Sequence, residues 1–277
     1  MKGLYGVIGD PIAHSMSPDM HNDAFGAMGI DAHYHAFHVK PGDLGTAVKG
    51  MMALGVKGFN VTVPHKTAIM PFLDKIDPLA ATIGAVNTVI LEDGGYTGYN
   101  TDGLGFVSGL ISGLDGPLKD HRALIIGAGG AARAIYYTLI SEGLISIDVC
   151  NRTKERAEAL ISGNPNGASS KALSLPEAED GLSRYSLIIN TTSIGMEPKT
   201  EEMPIDLANL QADAFVSDII YNPLETRLLR EAKGKGARIQ NGLPMFIGQG
   251  ALAFKIWTGK NPDLERMKKI VLDKLGG

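Results

Sequence analysis

The 277 residues of the chain are enough for two modest domains, and 44% hydrophobic and 20% charged residues are ordinary for a globular protein. The formal net charge of -4 and the dispersed basic residues give no reason to expect a nucleic acid as a partner. The longest uncharged stretches, such as residues 241–254, contain Gly, Pro, Asn and Gln and fall short of the roughly 20 residues that a membrane span needs.

The N-terminus and the single cysteine predict the compartment. The chain enters a predicted strand at once, without the pattern of a secretory signal peptide. Cys150 lies in an apolar segment and has no second cysteine with which to form an internal disulfide. We therefore expect a cytoplasmic protein that has no membrane partner.

The first 102 residues alternate between predicted strands and helices. Hydrophobic patterning predicts strands at residues 4–8, 33–39, 58–63 and 88–91, and helices at residues 18–28, 43–54 and 67–73. Strands separated by helices are typical of an α/β unit with a mostly parallel sheet. The sequence therefore predicts a separate N-terminal α/β domain over residues 1–102.

Two serines form the first polar segment of this domain. Ser17 precedes Pro18 and is suited to cap the helix that follows. Ser15 supplies a second hydroxyl two residues earlier, and two hydroxyls at the start of a helix form a small anion site that suits a carboxylate. Both roles are open to Ser17.

The strand predicted at residues 58–63 has a polar face. Asn60 and Thr62 lie on that face, whereas Val63 belongs to the hydrophobic face. Lys66 follows just past the strand, where open α/β sheets bind ligands. A lone lysine is usually solvated, so a functional role for Lys66 is indicated only by the polar residues around it.

Two further polar residues, Asn87 and Asp102, close the domain. Asn87 is either a turn residue or part of a site. Asp102 stands before a helix predicted at residues 103–114 and is either its N-cap or a functional carboxylate. The helix connects the first domain to the rest of the chain.

A glycine turn in the middle of the chain predicts a dinucleotide site. A buried strand at residues 123–126 leads into Gly127, Ala128, Gly129, Gly130, Ala131 and Ala132, and a buried helix continues at residues 134–140. In this arrangement the glycines allow a tight turn and close approach of the backbone to a pyrophosphate, while the helix N-terminus attracts its charge. A structural strand-to-helix turn is the plain alternative.

The end of the next strand, predicted at residues 147–150, indicates which dinucleotide binds. An NAD enzyme places an acidic residue there, but this chain has Asn151, Arg152 and Thr153, followed by Lys154 and Arg156. Such a basic cluster suits a 2′-phosphate and predicts NADP rather than NAD. In the alternative, Thr153 only caps a helix over residues 154–160 and the basic residues are solvated.

The remaining elements complete a doubly wound domain over residues 103–240. Further strands are predicted at residues 187–189 and 214–216, and residues 162–170 read as a loop. Helices predicted at residues 244–257 and 262–275 form a C-terminal segment, residues 241–277, that we expect to pack back on the first domain.

Taken together, the polar segments resemble those of the shikimate dehydrogenase family. The resemblance runs through residues 15–18, 60–66, 84–88, 100–103, 127–132, 151–153, 190–196, 221–226 and 242–249, in the order of the family. It implies a Rossmann-type NADP-binding domain and the NADP-dependent reduction of 3-dehydroshikimate to shikimate, a step of aromatic amino-acid biosynthesis.

The resemblance also implies roles for individual residues. By similarity, Ser15 and Ser17 hold the substrate carboxylate together with Tyr221, and Lys66 and Asp102 are the catalytic pair. By the same similarity, Thr62, Asn87 and Gln249 bind the ring hydroxyls, and Asn60 shapes the same pocket. Ile219 and Gly242 lie beside the nicotinamide. The implied partner is a small-molecule substrate, and the implied assembly is a monomer or a homodimer.

Two other functions remain open. One is a quinate/shikimate dehydrogenase that uses NAD, against which the basic cluster and the two serines argue. The other is a non-catalytic ligand sensor on the same fold, which would be free to lose Lys66 or Asp102. A metal site is not expected, because His38 points away from His33 and His35 on a strand.

Overall fold

Two six-stranded sheets organise the chain, each in its own compact unit. The structure, a computed structural model, describes residues 2–163 and 168–276. The first unit comprises Met1–Thr101 and Ile247–Gly277, and the second comprises Asp102–Phe246. Asp102 and residues 241–246 thus belong to the second unit. Among the described residues, no helix combines the length and the apolar character that crossing a bilayer requires.

The sheet of the first unit is mixed. Its strands are β1 (Gly3–Gly9), β2 (Ala32–His38), β3 (Gly58–Val61), β4 (Lys75–Ile76), β5 (Thr88–Glu92) and β6 (Gly95–Tyr99), in the order β2-β1-β3-β5-β6-β4. β1 pairs in parallel with β2 and β3, whereas β5 runs antiparallel to β3 and β6. The sequence prediction missed β4 and β6, and with them the hairpin that reverses the chain after β5.

Helices cover this sheet, as expected for an α/β unit. They are α1 (Ser17–Ala27), α2 (Leu44–Ala53) and α3 (Pro78–Ile83), joined later by α9 (Leu243–Thr258) from Ile247 onward and by α10 (Leu264–Leu275). On one side, Val48 of α2 shares a core with Phe59 of β3. The C-terminal helices return to this unit as predicted, because α10 packs on α1 and the Trp257 indole N–H donates to the Val89 carbonyl at 2.9 Å.

Two local predictions in this unit are wrong. Residues 67–73 form turns and a single 3₁₀ turn, Met70–Phe72, instead of an α-helix. Pro71 opposes an α-helix here, because it lacks the N–H that such a helix would bond to the Thr67 carbonyl. β3 ends at Val61, so Val63 lies beyond the strand and is 67% exposed rather than packed in the core.

The second sheet is wholly parallel. Its strands are β7 (Ala123–Ile126), β8 (Ile147–Cys150), β9 (Ala172–Leu173), β10 (Leu187–Asn190), β11 (Phe215–Asp218) and β12 (Arg238–Gln240), in the order β12-β11-β10-β7-β8-β9. This is the doubly wound order, which reverses beside β7. The interior strands are buried throughout and mostly apolar, because helices cover both faces of such a sheet.

The helices of the second unit follow the predicted alternation. They are α4 (Asp102–Ile111), α5 (Gly130–Ser141), α6 (Lys154–Ser162), α7 (Leu175–Asp180) and α8 (Arg227–Gly234), with the start of α9. The predicted loop over residues 162–170 includes residues 164–167, which lie outside the described part of the chain.

An imidazole is enclosed in the aromatic core of the first unit. His21 of α1 is fully buried, stacks on Tyr34 with ring centroids 4.6 Å apart, and lies 5.2 Å from the Trp257 ring. Neither ring nitrogen has a hydrogen-bond partner within the described residues. Burial lowers the pKa of His21 from 6.5 to about 3.

This burial predicts a loss of stability in acid. The folded state keeps His21 neutral down to about pH 3, whereas the unfolded chain binds the proton near pH 6.5. Because the unfolded state holds more protons in that window, the free energy of unfolding falls as the pH is lowered through it. His21→Phe keeps an aromatic ring and removes the titration, so denaturant unfolding over a pH series should show a shallower acid limb. His33→Phe, at an exposed position of β2, should keep the wild-type pH dependence; equal slopes for the wild type and His21→Phe would contradict the assignment.

Candidate functional site

The two serines lie at the start of α1. The helix begins at Ser17, so the prediction that Ser17 caps it is wrong. Met16 stands at the N-cap without a capping bond, and Ser15 Oγ accepts a hydrogen bond from the Ser17 N–H at 3.3 Å. The buried Ser17 hydroxyl lies beside that of Tyr34: burial raises the pKa of Tyr34, and the neighbouring Ser17 hydroxyl opposes that rise.

Asn60 connects Tyr34 of β2 to the start of β5. Its Oδ1 accepts from the Tyr34 hydroxyl at 2.7 Å, while its Nδ2 donates to the Asn87 carbonyl at 3.2 Å and to Thr88 Oγ1 at 3.1 Å. Asn60 is 7% exposed, so an unmet bond would be costly. These three partners fix the orientation of the amide.

Asn87 is a second amide hub. It is 2% exposed, and its Oδ1 accepts from the Thr101 N–H at 2.8 Å and from Thr88 Oγ1 at 3.0 Å. Its Nδ2 donates to Thr101 Oγ1 at 3.0 Å. These bonds tie the start of β5 to the end of the segment after β6. Asn87 therefore does more than make a turn.

Lys66 is held by its backbone next to this hub. The Val86 N–H donates to the Lys66 carbonyl at 2.8 Å, one residue before Asn87. The preceding residue, His65, is buried and donates from its ring Nε2 to the Val39 carbonyl at 2.7 Å. Both bonds fix the turn that carries the half-buried Lys66 side chain.

The other predicted polar residues have different environments. Thr62 is half-buried just past β3, and its N–H donates to the Ile8 carbonyl at 3.0 Å. Gln249 is half-buried on α9 in the same unit. Asp102, buried as the first residue of α4, and Tyr221 belong to the second unit. Among the predicted site residues, a hydrogen bond connects Asn60 and Asn87 directly.

The glycine turn of the second unit follows β7 as predicted. Gly127 has φ +109°, a conformation that favours glycine, and a Cβ there would come within 2.6 Å of Thr191 Oγ1. Thr191 is fixed in turn, because its hydroxyl donates to the Ile126 carbonyl at 2.7 Å. The turn is therefore built against the end of β10.

The N-terminus of α5 is open for an anion. Gly129 occupies the N-cap position and no side chain caps the helix. A Cβ at Gly129 or Gly130 would meet no described atom of the chain within 4 Å. Ala128 and Ala131 beside them are half-buried, whereas Ala132 is fully buried against the sheet. Free N–H groups and open space at a helix start are what a phosphate requires.

The basic cluster after β8 divides into two parts. Lys154 Nζ lies 2.8 Å from Glu177 Oε2, and this bond is the main reason that the pKa of Glu177 falls to about 2. Arg152 and Arg156 are exposed and have no ion pair within the described residues. Asn151 and Thr153 shape the turn, because Asn151 Nδ2 donates to the Thr153 carbonyl at 2.8 Å. Thr153 stands at the N-cap of α6, without a capping bond from its side chain.

The sequence analysis missed Asp218, which organises the loops beyond β10 and β11. This fully buried carboxylate accepts from Asn190 Nδ2 at 3.0 Å, from the Ile220 N–H at 3.0 Å and from Thr226 Oγ1 at 2.8 Å. Burial raises its pKa to about 6, although the three donors oppose the rise. An acidic residue that ends a buried apolar strand was the signal that could have found it.

Ile219 and Gly242, the two residues predicted beside the nicotinamide, lie next to each other. The Gly242 N–H donates to the Ile220 carbonyl at 2.8 Å, and a Cβ on Gly242 would overlap the carbonyl of Ile219. The half-buried Tyr221 packs its ring on Phe246 with centroids 4.8 Å apart, and burial raises its pKa. These residues lie together in the second unit.

The described residues contain no metal-binding cluster. Across residues 2–163 and 168–276, no three His, Cys, Asp or Glu side chains converge as ligands. His33 and His35 lie 6.3 Å apart on β2, and His38 bonds instead to Asp10 at 2.6 Å.

Family models match most of the chain in three consecutive segments. Residues 7–89 match the shikimate dehydrogenase substrate binding domain, and residues 111–219 match the shikimate / quinate 5-dehydrogenase model. Residues 242–272 match the shikimate 5'-dehydrogenase C-terminal domain.

Whole-chain relatives agree with these models. An NADP(+) shikimate dehydrogenase of Bacillus cereus (strain AH187) is 57% identical over 277 residues, which is 100% of both chains. A crystal structure of a shikimate dehydrogenase in complex with NADP+ is 46% identical, covers 99% of this chain and 96% of its own, and superposes with a TM-score of 0.93. A quinate dehydrogenase from Corynebacterium glutamicum in complex with NAD is 32% identical, covers 98% and 99%, and superposes with a TM-score of 0.91.

Two glycines should respond differently to an added methyl group. Gly129→Ala places its Cβ in open space beside the α5 N-terminus, so we expect wild-type thermal stability and NADP binding weakened about tenfold or more. Gly242→Ala meets the Ile219 carbonyl and should lower the unfolding temperature. Gly50→Ala in α2, also in open space, is the control that leaves NADP binding unchanged. Wild-type NADP affinity in a folded Gly129→Ala protein would remove the α5 N-terminus from the cofactor site.

Proposed function

The chain belongs to the shikimate dehydrogenase family, and from this premise we propose that it catalyses the reversible, NADPH-dependent reduction of 3-dehydroshikimate to shikimate. The observation that carries the proposal is the 57% identity over the full length to a shikimate dehydrogenase (NADP(+)). The geometry supports it, because buried amides and hydroxyls suit a small substrate whose ring carries several hydroxyl groups.

The first unit would bind the substrate. Ser15 and Ser17 at the start of α1 would hold the carboxylate, together with Tyr221. The ring hydroxyls would be bound by Thr62, Asn87 and Gln249, with Asn60 shaping the pocket. Support for this assignment comes from the hydrogen bonds that hold Tyr34, Asn60 and Asn87 in one connected arrangement, with the Ser17 hydroxyl beside that of Tyr34.

Lys66 and Asp102 would form the catalytic pair. Delivery of hydride to the C3 ketone builds negative charge on its oxygen, and the Lys66 ammonium would donate a hydrogen bond that strengthens as this charge develops. The Asp102 carboxylate would keep Lys66 protonated and oriented, and the pair would return a proton to the alkoxide. The anchored backbone of Lys66, bonded to Val86, supports such a fixed role.

The second unit would bind NADP, whose nicotinamide supplies the hydride. The pyrophosphate would lie at Gly127–Gly130 and the α5 N-terminus, and the nicotinamide beside Ile219 and Gly242. Arg152 and Arg156 would take the 2′-phosphate beside Asn151 and Thr153. We assign Lys154 a lesser share of that charge, because Glu177 already holds its ammonium.

The compartment follows from the cofactor and the thiol. The substrate and NADP are small soluble metabolites, and Cys150 is a buried free thiol whose pKa burial raises to about 12. A chain with an unpaired, unreactive thiol suits a reducing compartment. We therefore propose a cytoplasmic enzyme.

Oxidation of shikimate or quinate with NADP or NAD tests the function. We expect kcat/KM to be highest for shikimate with NADP, by about 100-fold over NAD, because two charge-assisted contacts distinguish the 2′-phosphate. Arg152→Ala should lower kcat/KM for NADP but not for NAD. Arg230→Ala, an exposed arginine of α8 within 3.5 Å of Glu201, is the control that changes neither.

Two outcomes would overturn this assignment. Efficient turnover of quinate with NAD would favour the quinate/shikimate dehydrogenase. Binding of shikimate and NADP without turnover of either substrate pair would favour the ligand sensor.

Removal of the Lys66 ammonium should damage catalysis rather than cofactor binding. For Lys66→Ala we expect kcat to fall by roughly 10²–10⁴, with the Kd for NADP unchanged, since the lost donor acts on the developing alkoxide. Lys57→Ala, which removes an exposed lysine before β3, should keep the wild-type kcat. A Lys66→Ala enzyme with a kcat near that of the wild type would remove Lys66 from the mechanism.

A further inference from the structure

Tyr34 is held rigidly in the middle of β2. The side chain of Asn22 clamps its backbone: Nδ2 donates to the Tyr34 carbonyl at 2.9 Å, and Oδ1 accepts from the Tyr34 N–H at 2.8 Å. Its ring, 1% exposed, lies against His21 at 4.6 Å and Trp257 at 5.9 Å. With backbone and ring both fixed, the position of the hydroxyl is fixed as well.

The direction of the hydrogen bond between the Tyr34 hydroxyl and Asn60 can be assigned. Asn60 uses its Nδ2 on Asn87 and Thr88, so its Oδ1 faces Tyr34 and can only accept. The one phenolic proton of Tyr34 is therefore donated to Asn60, at 2.7 Å. The Ser17 hydroxyl lies beside this phenol, at the start of the helix whose Asn22 holds the Tyr34 backbone.

These directions form one continuous chain of donors. Tyr34 donates to Asn60, Asn60 Nδ2 to Thr88, and Thr88 Oγ1 to Asn87 Oδ1 at 3.0 Å. The chain begins at a residue that Asn22 of α1, the helix that starts at the proposed carboxylate ligand Ser17, holds in place, and it ends at a proposed hydroxyl ligand. All its members are buried, so each bond strengthens its neighbours and none is exchanged readily with water.

We propose that Tyr34 is a positioning residue that couples the carboxylate end of the shikimate pocket to its hydroxyl end. The inference rests on the proposed function. Tyr34 contacts Asn60 and, through Asn22 and His21, the helix that starts at Ser17, and it holds the Asn60 amide in place before the substrate arrives. Preorganisation of this kind lowers the ordering cost of binding and leaves the hydride-transfer step unchanged.

Replacement of Tyr34 by Phe removes only the hydroxyl. We expect the KM and the Kd of shikimate to rise about 3- to 30-fold, the worth of one to two buried hydrogen bonds. The kcat and the KM of NADP should stay within about twofold of the wild type, because the lost hydroxyl bonds to Asn60, a residue proposed to shape the substrate pocket.

Tyr96→Phe is the matched control. Tyr96 is equally buried in the same sheet, and its hydroxyl donates to the Val56 carbonyl at 3.0 Å, away from the proposed ligands. The two variants should lose similar thermal stability, but only Tyr34→Phe should weaken shikimate binding. Equal shikimate KM values in the two variants would overturn the proposal and reduce Tyr34 to a structural residue.

A double-mutant cycle tests the coupling itself. In a connected chain, Ser17→Ala should weaken shikimate binding less in the Tyr34→Phe background than in the wild type. Fully additive effects would contradict the coupling. The wild type is the reference throughout. If it neither binds nor oxidises shikimate, the proposed function is wrong. If it turns over normally and Tyr34→Phe binds shikimate as the wild type does, only this inference is wrong.

Discussion

Buried amides need all of their hydrogen bonds, and this requirement shapes the first unit. Asn60 and Asn87 lie almost fully out of water, where an unmet donor or acceptor costs more than a typical hydrogen bond contributes. Their partners come from β2, β5 and the segment that follows β6. The strands must therefore keep their register for the amides to be satisfied. The geometry of the polar residues therefore depends on the register of the strands.

The sheet register shows how distant residues reach this network. Tyr34 and Gly58 both pair with Tyr5, from opposite sides of β1, so Tyr34 and Asn60 share a face of the sheet. Tyr34 reaches diagonally over β1 to Asn60, and Trp257 fills the space above Gly58, where a Cβ would meet its indole. Aromatic rings thus cover one side of the hydrogen bonds of Tyr34 and Asn60. They exclude water from these bonds, which strengthens them.

Local signals allowed prediction, and long-range pairing did not. The turn at Gly127 and the basic residues at Arg152 follow from short motifs, so the doubly wound domain and its cofactor preference could be inferred from the sequence. The C-terminal helices were also placed correctly. Tyr34 could not be identified as part of the site, because its role depends on which strands neighbour β1. The false helix over residues 67–73 arose because an apolar pattern was given more weight than Pro71.

The second unit meets the same requirement with a different group. Three donors converge on Asp218, from a side-chain amide, a backbone N–H and a hydroxyl. The Asn190 amide and the Ile220 N–H both donate to Oδ1 and the Thr226 hydroxyl donates to Oδ2, so the two oxygens of an ionised carboxylate accept all three bonds. Burial opposes the charge and raises the pKa to about 6, so the donors must hold a carboxylate that the protein interior disfavours. The gain is a fixed geometry for Asn190 and for the turn after Ile219. The loops of both units are therefore positioned by buried polar hubs, neutral in the first and ionisable in the second.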